Sequence, residues 1–212
     1  RCTGLPECTL ANVVSTYNLG VRLNLKKMAL DLKPALQCNF NPLNFAAMSL
    51  TVRTESLPPT TVLAFSSSNI VHTGSKSEEH SRQSAWVLAR YCNVVLGIPA
   101  VVKNFQIRNI VSSAKLKRVE LKSLADDLGA RAVFEPKKIH SCRVRNETNH
   151  SQVVLVYPSG AVVITGMRTR EETEAAFIEA AEFCEAHKST TVGSKNEYRY
   201  SKRRSNLDKK TL

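Results

Sequence analysis

No apolar stretch of this sequence approaches the roughly 20 residues needed to span a bilayer, so no helical membrane segment is expected. No signal-peptide pattern is visible at its start either. The six cysteines (Cys2, Cys8, Cys38, Cys92, Cys142 and Cys184) are scattered, without a CxxC pair. Small buried hydrophobes in a reducing compartment are therefore a better reading than a zinc site or a disulfide framework. The five histidines are equally dispersed, with no HExxH and no Cys or carboxylate at ligand spacing. No glycine loop to cradle phosphate and no catalytic dyad spacing is found, so an enzyme ranks far behind a binding protein and no cofactor is expected. Carboxylates are scarce too. Against 30 Lys and Arg there are 18 Asp and Glu, a net charge of +12.

That surplus is unevenly placed. From Lys188 to Leu212 eight basic residues stand against Glu197 and Asp208, so this end carries +6 and the preceding body the other +6. The basic end reads equally as a nucleic-acid or nuclear-import patch and as a solvated terminus with no specific duty. The body is the better pointer, because 42% of the chain is hydrophobic and its cations must sit on a folded surface. The length suits one large domain or two small ones.

The most informative content is repetition. "SSSNIVHTGSKSEEHSRQSAWVLARYC" begins at Ser66, and "YPSGAVVITGMRTREETEAAFIEAAEFC" echoes it from Tyr157, with Gly74 and Gly166 92 residues apart. "NVVST" at Asn12 returns as "NIVSS" at Asn109, an offset of 97. "FNPLNF" ending at Phe45 returns as "FEPKKI" ending at Ile139, an offset of 94. Three landmarks in the same order at nearly equal offsets indicate a tandem duplication.

Each copy predicts the same elements. A strand over Asn12–Leu19 or Ile107–Ser113 leads to a short helix, "LKKMALDL" or "LKSLADDL". After an Asn-Pro or Glu-Pro turn, the alternation of Met48, Leu50 and Val52 with Ser49, Thr51 and Arg53 marks a half-buried strand. "TTVLAF" with "NIVHTG", and "VVLVY" with "AVVITG", read as hairpins. After Thr-Gly the period becomes helical. Ala85, Leu88, Ala89, Cys92, Val95 and Leu96 form one stripe, and Phe177, Ala180, Ala181 and Cys184 its counterpart. Ser77 and Thr169 supply N-cap hydroxyls ahead of acidic first turns. Long helices are expected over about Glu78–Leu96 and Glu171–His187.

Each half is thus strands with helices on one face. The other face would carry Leu63, Phe65, Asn69, Val71 and Thr73 in copy one, and Leu155, Tyr157, Ala161, Val163 and Thr165 in copy two. An exposed, largely apolar sheet is a binding surface. The competing possibility is a core closed between the two halves.

"NVVSTYNLG", "NPLNFAAMSL", "TTVLAFSSSNIVHTGSKSEEHSR" and "GIPAVVKNFQIRNIVSS" resemble the saddle-shaped core of the TATA-binding protein family, over about Asn12 to Lys188. The resemblance is to a divergent related factor of the kind found in kinetoplastid protists. It implies an α+β fold: a pseudo-twofold saddle of two tandem repeats, one curved ten-stranded antiparallel sheet with helices on the convex face. The corresponding boundaries are an N-terminal extension over 1–10, a first repeat over 11–104, a second over 105–188 and a basic tail over 189–212. The implied ligand is the minor groove of promoter DNA, in the nucleus, and the implied role is nucleation of transcription-initiation complexes.

By the same resemblance, Asn12 and Asn109 donate to central base pairs near the pseudo-dyad, with Thr73 and Thr165 beside them. Val14, Val71, Val111, Val163, Leu63 and Leu155 form the apolar bed. Ser67, Lys76, Arg145, Ser159 and Arg168 match or adjoin positions that reach phosphates, which set register rather than sequence. Two pairs of phenylalanines wedge the end base steps in the family. Copy one keeps Phe45 and Phe65, whereas copy two has Ile139 and Tyr157. Asn69 and Ala161 stand where the family has lysines.

These departures imply weakened or altered TATA specificity. Glu135, Lys137 and Lys138 fall in the loop that meets transcription factor IIB, with a charge reversed at Lys137, so an ordinary factor IIB should be rejected. The implied partners are IIA- and IIB-like proteins and promoter complexes such as small-nuclear-RNA gene activators. The alternative is a promoter-complex adaptor held by protein contacts, with little DNA grip of its own.

Overall fold

The computed structural model describes residues 5–34, 36–53 and 58–189. The basic end expected from residue 189 therefore lies, beyond Ser189, outside the described residues. The first half comprises β1 (Thr9–Asn18), α1 (Leu25–Leu32), β2 (Gln37–Asn39), β3 (Ala47–Val52), β4 (Thr60–Phe65), β5 (Asn69–Ser75) and α2 (Glu78–Leu96). The second half repeats the order as β6 (Lys103–Lys115), α3 (Leu121–Leu128), β7 (Ala132–Val133), β8 (Cys142–Arg145), β9 (Val153–Val156), β10 (Ala161–Met167) and α4 (Arg170–Ala186). The two short helices coincide with the octapeptides expected to follow the first strand of each repeat. The sixth strand runs longer than its apolar alternation, and β2 and β7 have no sequence signal of their own.

All ten strands form one antiparallel sheet in the order β2-β3-β4-β5-β1-β6-β10-β9-β8-β7. Exchanging each strand for its counterpart reverses this order onto itself, the signature of a pseudo-dyad between β1 and β6. There Val13 pairs with Ile110, flanked by Asn12 opposite Val111 and Val14 opposite Asn109. The sheet is curved, and together with its helices makes an α+β saddle.

The helices cover one face only, and the apolar residues alternating onto that face are the fully buried ones. In the first half Met48, Leu50, Val62, Ala64 and Ile70 meet Met28, Leu32, Leu88 and Cys92. In the second, Val144, Val156, Val162 and Ile164 meet Leu124, Phe177, Ala180 and Cys184. These two cores lie side by side under the helices. That overturns a core closed between the halves: Phe65 and Val71 are only half-buried, on the opposite face.

Local chemistry sets the helix starts. The Ser77 hydroxyl accepts from the His80 N–H at 3.0 Å, and Thr169 accepts from the Glu172 N–H at 3.2 Å. Acids in the first turns of both helices suit the positive end of the helix dipole. The helix α2 stops at Gly97, whose φ of 63° is the left-handed cap that glycine adopts without strain. Burial pushes the thiols of Cys92 and Cys142 up to about 11 and that of Cys184 to about 12. They act as packing groups, not nucleophiles.

Candidate nucleic-acid interface

Alternation along each strand aims every second side chain at the uncovered, concave face. From β1 these are Asn12, Val14, Thr16 and Asn18, and from β4 and β5 Leu63, Phe65, Val71 and Thr73. The second half contributes Asn109, Val111, Leu155, Val163 and Thr165, with Tyr157 just past β9. Cross-strand pairs bring the apolar ones together: Leu63 faces Val71, and Leu155 faces Val163. None of the ten strands contains an Asp or Glu, whereas they carry Lys103, Arg108, Lys115, Arg143 and Arg145.

Two polar clusters flank the pseudo-dyad with matching geometry. The Gly74 N–H donates to Asn12 Oδ1 at 2.7 Å, and Asn12 Nδ2 donates to Thr73 Oγ1 at 3.2 Å. In the second half the Gly166 N–H donates to Asn109 Oδ1 at 2.8 Å, and Asn109 Nδ2 donates to Thr165 Oγ1 at 3.3 Å. A backbone N–H can only donate, so it fixes Oδ1 as its acceptor and leaves one Nδ2 hydrogen for a ligand. Gly74 and Gly166 have φ of 95° and 90°. That conformation, beside a register shift in each strand, turns the N–H toward the asparagine. The repeated Thr-Gly is thus an asparagine holder.

At the ends of the saddle the halves diverge. The Asn41 and Glu135 carbonyls accept from the Phe45 and Ile139 N–H groups at 3.0 and 2.8 Å, so the two loops share one shape. Phe45, 53% exposed, meets Phe65 edge to face with ring centroids 6.2 Å apart. Ile139 is 36% exposed, and Tyr157 is half-buried. Lys138 is tied to Glu135 at 2.6 Å, while Lys137 is exposed. Lys76 Nζ donates to the Ala11 carbonyl at 2.8 Å at the rim of the sheet. Arg145 and Arg168 are exposed, as are Ser67 and Ser159 in the hairpin turns. The Ser159 hydroxyl accepts from the Ala161 N–H at 3.3 Å. Among the described residues no group of three His, Cys, Asp or Glu side chains converges on a metal-sized site.

A concave, acid-free sheet around a pseudo-dyad narrows the comparison. The family model "Transcription factor TFIID (or TATA-binding protein, TBP)" matches residues 7–92 and 104–185. The chain belongs to the TATA-binding protein family. It is 42% identical to TATA-box-binding protein 1 of Triticum aestivum over 171 residues, covering 79% of this chain and 69% of that protein. It is 40% identical to TATA-box-binding protein 1 of Arabidopsis thaliana over 172 residues, covering 80% and 81%. A solved structure of Methanococcus jannaschii TBP superposes with a TM-score of 0.71 at 25% identity, covering 85% of this chain and all but 1% of that one.

Within this TATA-binding protein frame, three residues escaped the sequence reading. Arg143 shares a face with Arg145 because Cys142 and Val144 are buried between them, an alternation visible in "CRVR". Leu43, 94% exposed, caps the loop before Phe45, where its counterpart is Lys137. Arg108 reaches the concave side at the β1–β6 irregularity and donates to Thr16 Oγ1 at 2.7 Å. No sequence signal announces that irregularity.

Proposed function

We propose that this protein is a nuclear, non-enzymatic factor of transcription initiation that grips the DNA minor groove with its concave face and nucleates promoter complexes. One observation carries the reading: a half-buried sheet of ten strands without a carboxylate, offering apolar surface and a few fixed donors around a dyad. The minor groove presents only weak acceptors at A·T pairs, to which a G·C pair adds one donor, so a reader there needs apolar surface and a few donors. Asn12, Asn109, Thr73 and Thr165 match the acceptors. The Val and Leu bed suits the sugar walls, and the exposed Lys76, Arg145, Arg168, Ser67 and Ser159 are the groups we assign to phosphates.

The aromatic pair Phe45 and Phe65 supports a wedge at one end; Ile139 and Tyr157 support a weaker one at the other, hence relaxed TATA preference. IIA- and IIB-like proteins and small-nuclear-RNA gene activators are the partner classes we assign. Lys137 and the Glu135–Lys138 pair select a IIB-like surface of altered charge. The adaptor reading draws on Ile139, Tyr157 and Ala161, where the second half departs from the family pattern.

Binding to A·T-rich and A·T-poor duplexes, followed by fluorescence with a salt series, tests the proposal. Asn12→Ala and Asn109→Ala should each weaken A·T-rich binding roughly tenfold, within the cost of losing one base-edge contact, with an unchanged salt slope. If both variants bind as the parent does, the concave face is not the site and the adaptor reading takes over.

A further inference from the structure

On the helical side, between the start of α4 and the strands β1 and β6, lies a cavity of about 280 Å³. Leu10 and Phe177 are its apolar walls, the buried Ser112 its floor, and the exposed Arg170 and Glu174 stand at its mouth. Cys8 also lines it, and the counterpart of Cys8, 97 positions on, is Phe105. In the first half that ring takes the equivalent place. It stacks on Tyr17 with centroids 6.1 Å apart and lies under the Arg82 guanidinium, 4.6 Å from it.

The polar groups differ as well. In the first half the Ser15 and Ser81 hydroxyls bond each other at 2.7 Å. In the second, Thr173 stands for Ser81 but donates to the Thr169 carbonyl at 2.9 Å. Ser112, which stands for Ser15, is left with nothing better than the weakly bonding Cys8 thiol beside it. A buried hydroxyl without a strong partner is uncommon in folded proteins. Arg82 has become Glu174. At one place, therefore, the second half lacks a ring, a hydroxyl partner and a cation. A benzene-sized ring needs roughly 150 Å³, so there is room for one. A tyrosine with basic neighbours supplies all three.

The chain carries such a segment within reach. Lys195 to Arg204 reads "KNEYRYSKRR", in which Tyr200 has Arg199 before it and Lys202 two places after, whereas Tyr198 follows Glu197. Ser189 is the last described residue, just past α4. The 11 residues from there to Tyr200 can span about 36 Å, against about 20 Å back along the helix from Ala186 to Thr173. Charge favours the return. Glu174 and Glu182 are exposed on α4 and take part in no ion pair among the described residues. Beyond Ser189 seven Lys and Arg stand against Glu197 and Asp208.

We propose that the chain's own basic end docks on the helical side, with Tyr200 seated in this cavity. Its hydroxyl meets Ser112, and its basic neighbours face Glu174 and Glu182. The docking site lies on the side away from the concave face and does not depend on the DNA-binding reading. A partner protein that takes the same cavity must first displace this segment.

Alkylation of Cys8 by iodoacetamide, followed by mass spectrometry, reports whether the cavity is covered. Cys38, also part-exposed, is the internal reference. A segment docked about nine-tenths of the time slows the reaction about tenfold. Tyr200→Ala in the full chain should therefore raise the Cys8 rate by that factor relative to Cys38, as should removal of residues 190–212. Tyr200→Phe keeps the ring and loses the hydroxyl, so its rate should fall between. Tyr198→Ala should leave the rate unchanged, and circular dichroism verifies folding of each variant.

Equal Cys8 rates in the parent, Tyr200→Ala and the shortened chain would overturn the proposal. So would a rise on shortening that Tyr200→Ala does not reproduce, which would mean that charge alone holds the segment. Contact is read directly with Tyr200→Cys, which under mild oxidation should pair with Cys8 in preference to Cys38. Indiscriminate pairing would overturn the proposal. A Cys8 rate that slows as the protein is concentrated would put a second copy's segment in the cavity and overturn internal docking.

Discussion

Ile139 and Tyr157 occupy the positions of Phe45 and Phe65 in loops of one shape, so a single side chain decides what each loop can do. Wedging a base step costs on the order of a few kcal/mol of unstacking, offset only where the bent duplex meets more protein. A ring stacks on the opened bases. Branched Ile does not, and the Tyr hydroxyl brings a polar group into an apolar step. Ile139→Phe with Tyr157→Phe is therefore expected to increase both bend angle and affinity on an A·T-rich duplex. No phosphate contact is added, so the salt slope should not move. Energy transfer between end labels reads bend and affinity together, and an unchanged bend would show that the second loop stays outside the groove.

At the level of the element, β5 and β10 end in the same Thr-Gly device but differ in what surrounds it. A Cβ placed on Gly74 would meet nothing closer than the Thr60 Cα at 3.5 Å. On Gly166 it would lie 2.0 Å from the Ser151 carbonyl oxygen, a backbone atom that cannot swing away. Both residues have positive φ, which costs an L side chain roughly 1–2 kcal/mol. Gly74→Ala should cost about that much, and Gly166→Ala on the order of 2 kcal/mol more, as the β8–β9 connection is displaced. Urea unfolding of the two variants checks the difference. Equal losses would mean the connection gives way freely.

On the scale of the whole molecule, one ion pair among the described residues links the halves on the helical side. Arg170 Nε and Nη2 donate to the Glu78 carboxylate at 2.9 and 2.8 Å, and the hydrogen bond from Arg170 holds Glu78 below the usual carboxylate range. The two residues are 92 positions apart, the offset of Gly74 and Gly166, so the pseudo-dyad sets one position of the repeat against itself. Like residues there would repel; opposite ones clasp. The pair is partly exposed, which limits it to about 1 kcal/mol. A cycle of Glu78→Arg, Arg170→Glu and both together should show each single change lowering the melting temperature and the double change recovering most of it.

Stability of the whole should also fall in mild acid. His72 is fully buried between Tyr17 and Thr60, with its Nε2 2.7 Å from the Thr60 hydroxyl and its Nδ1 3.4 Å from the Tyr17 hydroxyl. Burial first, and the nearby His80 second, lower its pKa from 6.5 to about 4. The unfolded chain binds this proton more readily than the folded one. Stability is therefore fully present above pH 6.5 and is lost as the pH falls toward 4, by up to about 3 kcal/mol. Thermal melts of the parent and of His72→Gln across that window should converge at the acid end. Parallel curves would assign the acid sensitivity elsewhere.

Much was legible in the chain alone because local rules repeat. Alternation marked Met48–Val52, helical spacing marked both long helices, the repeat matched the two octapeptides to each other, and Ser77 and Thr169 announced their own starts. Their duplication disclosed the pseudo-dyad before any strand was paired. Family residues such as Asn12 and Phe65 could be picked out because each lies in a motif several residues long. What no local rule encodes is which strands meet. Register across the sheet brings Arg143 beside Leu155 and Ser49 beside Leu63, turns the Arg108 side chain at an irregular pairing, and sets Glu78 against Arg170. Strand pairing and curvature are set by contacts between residues far apart in the chain, so the asymmetry of the concave face exists only once the sheet has closed around its dyad.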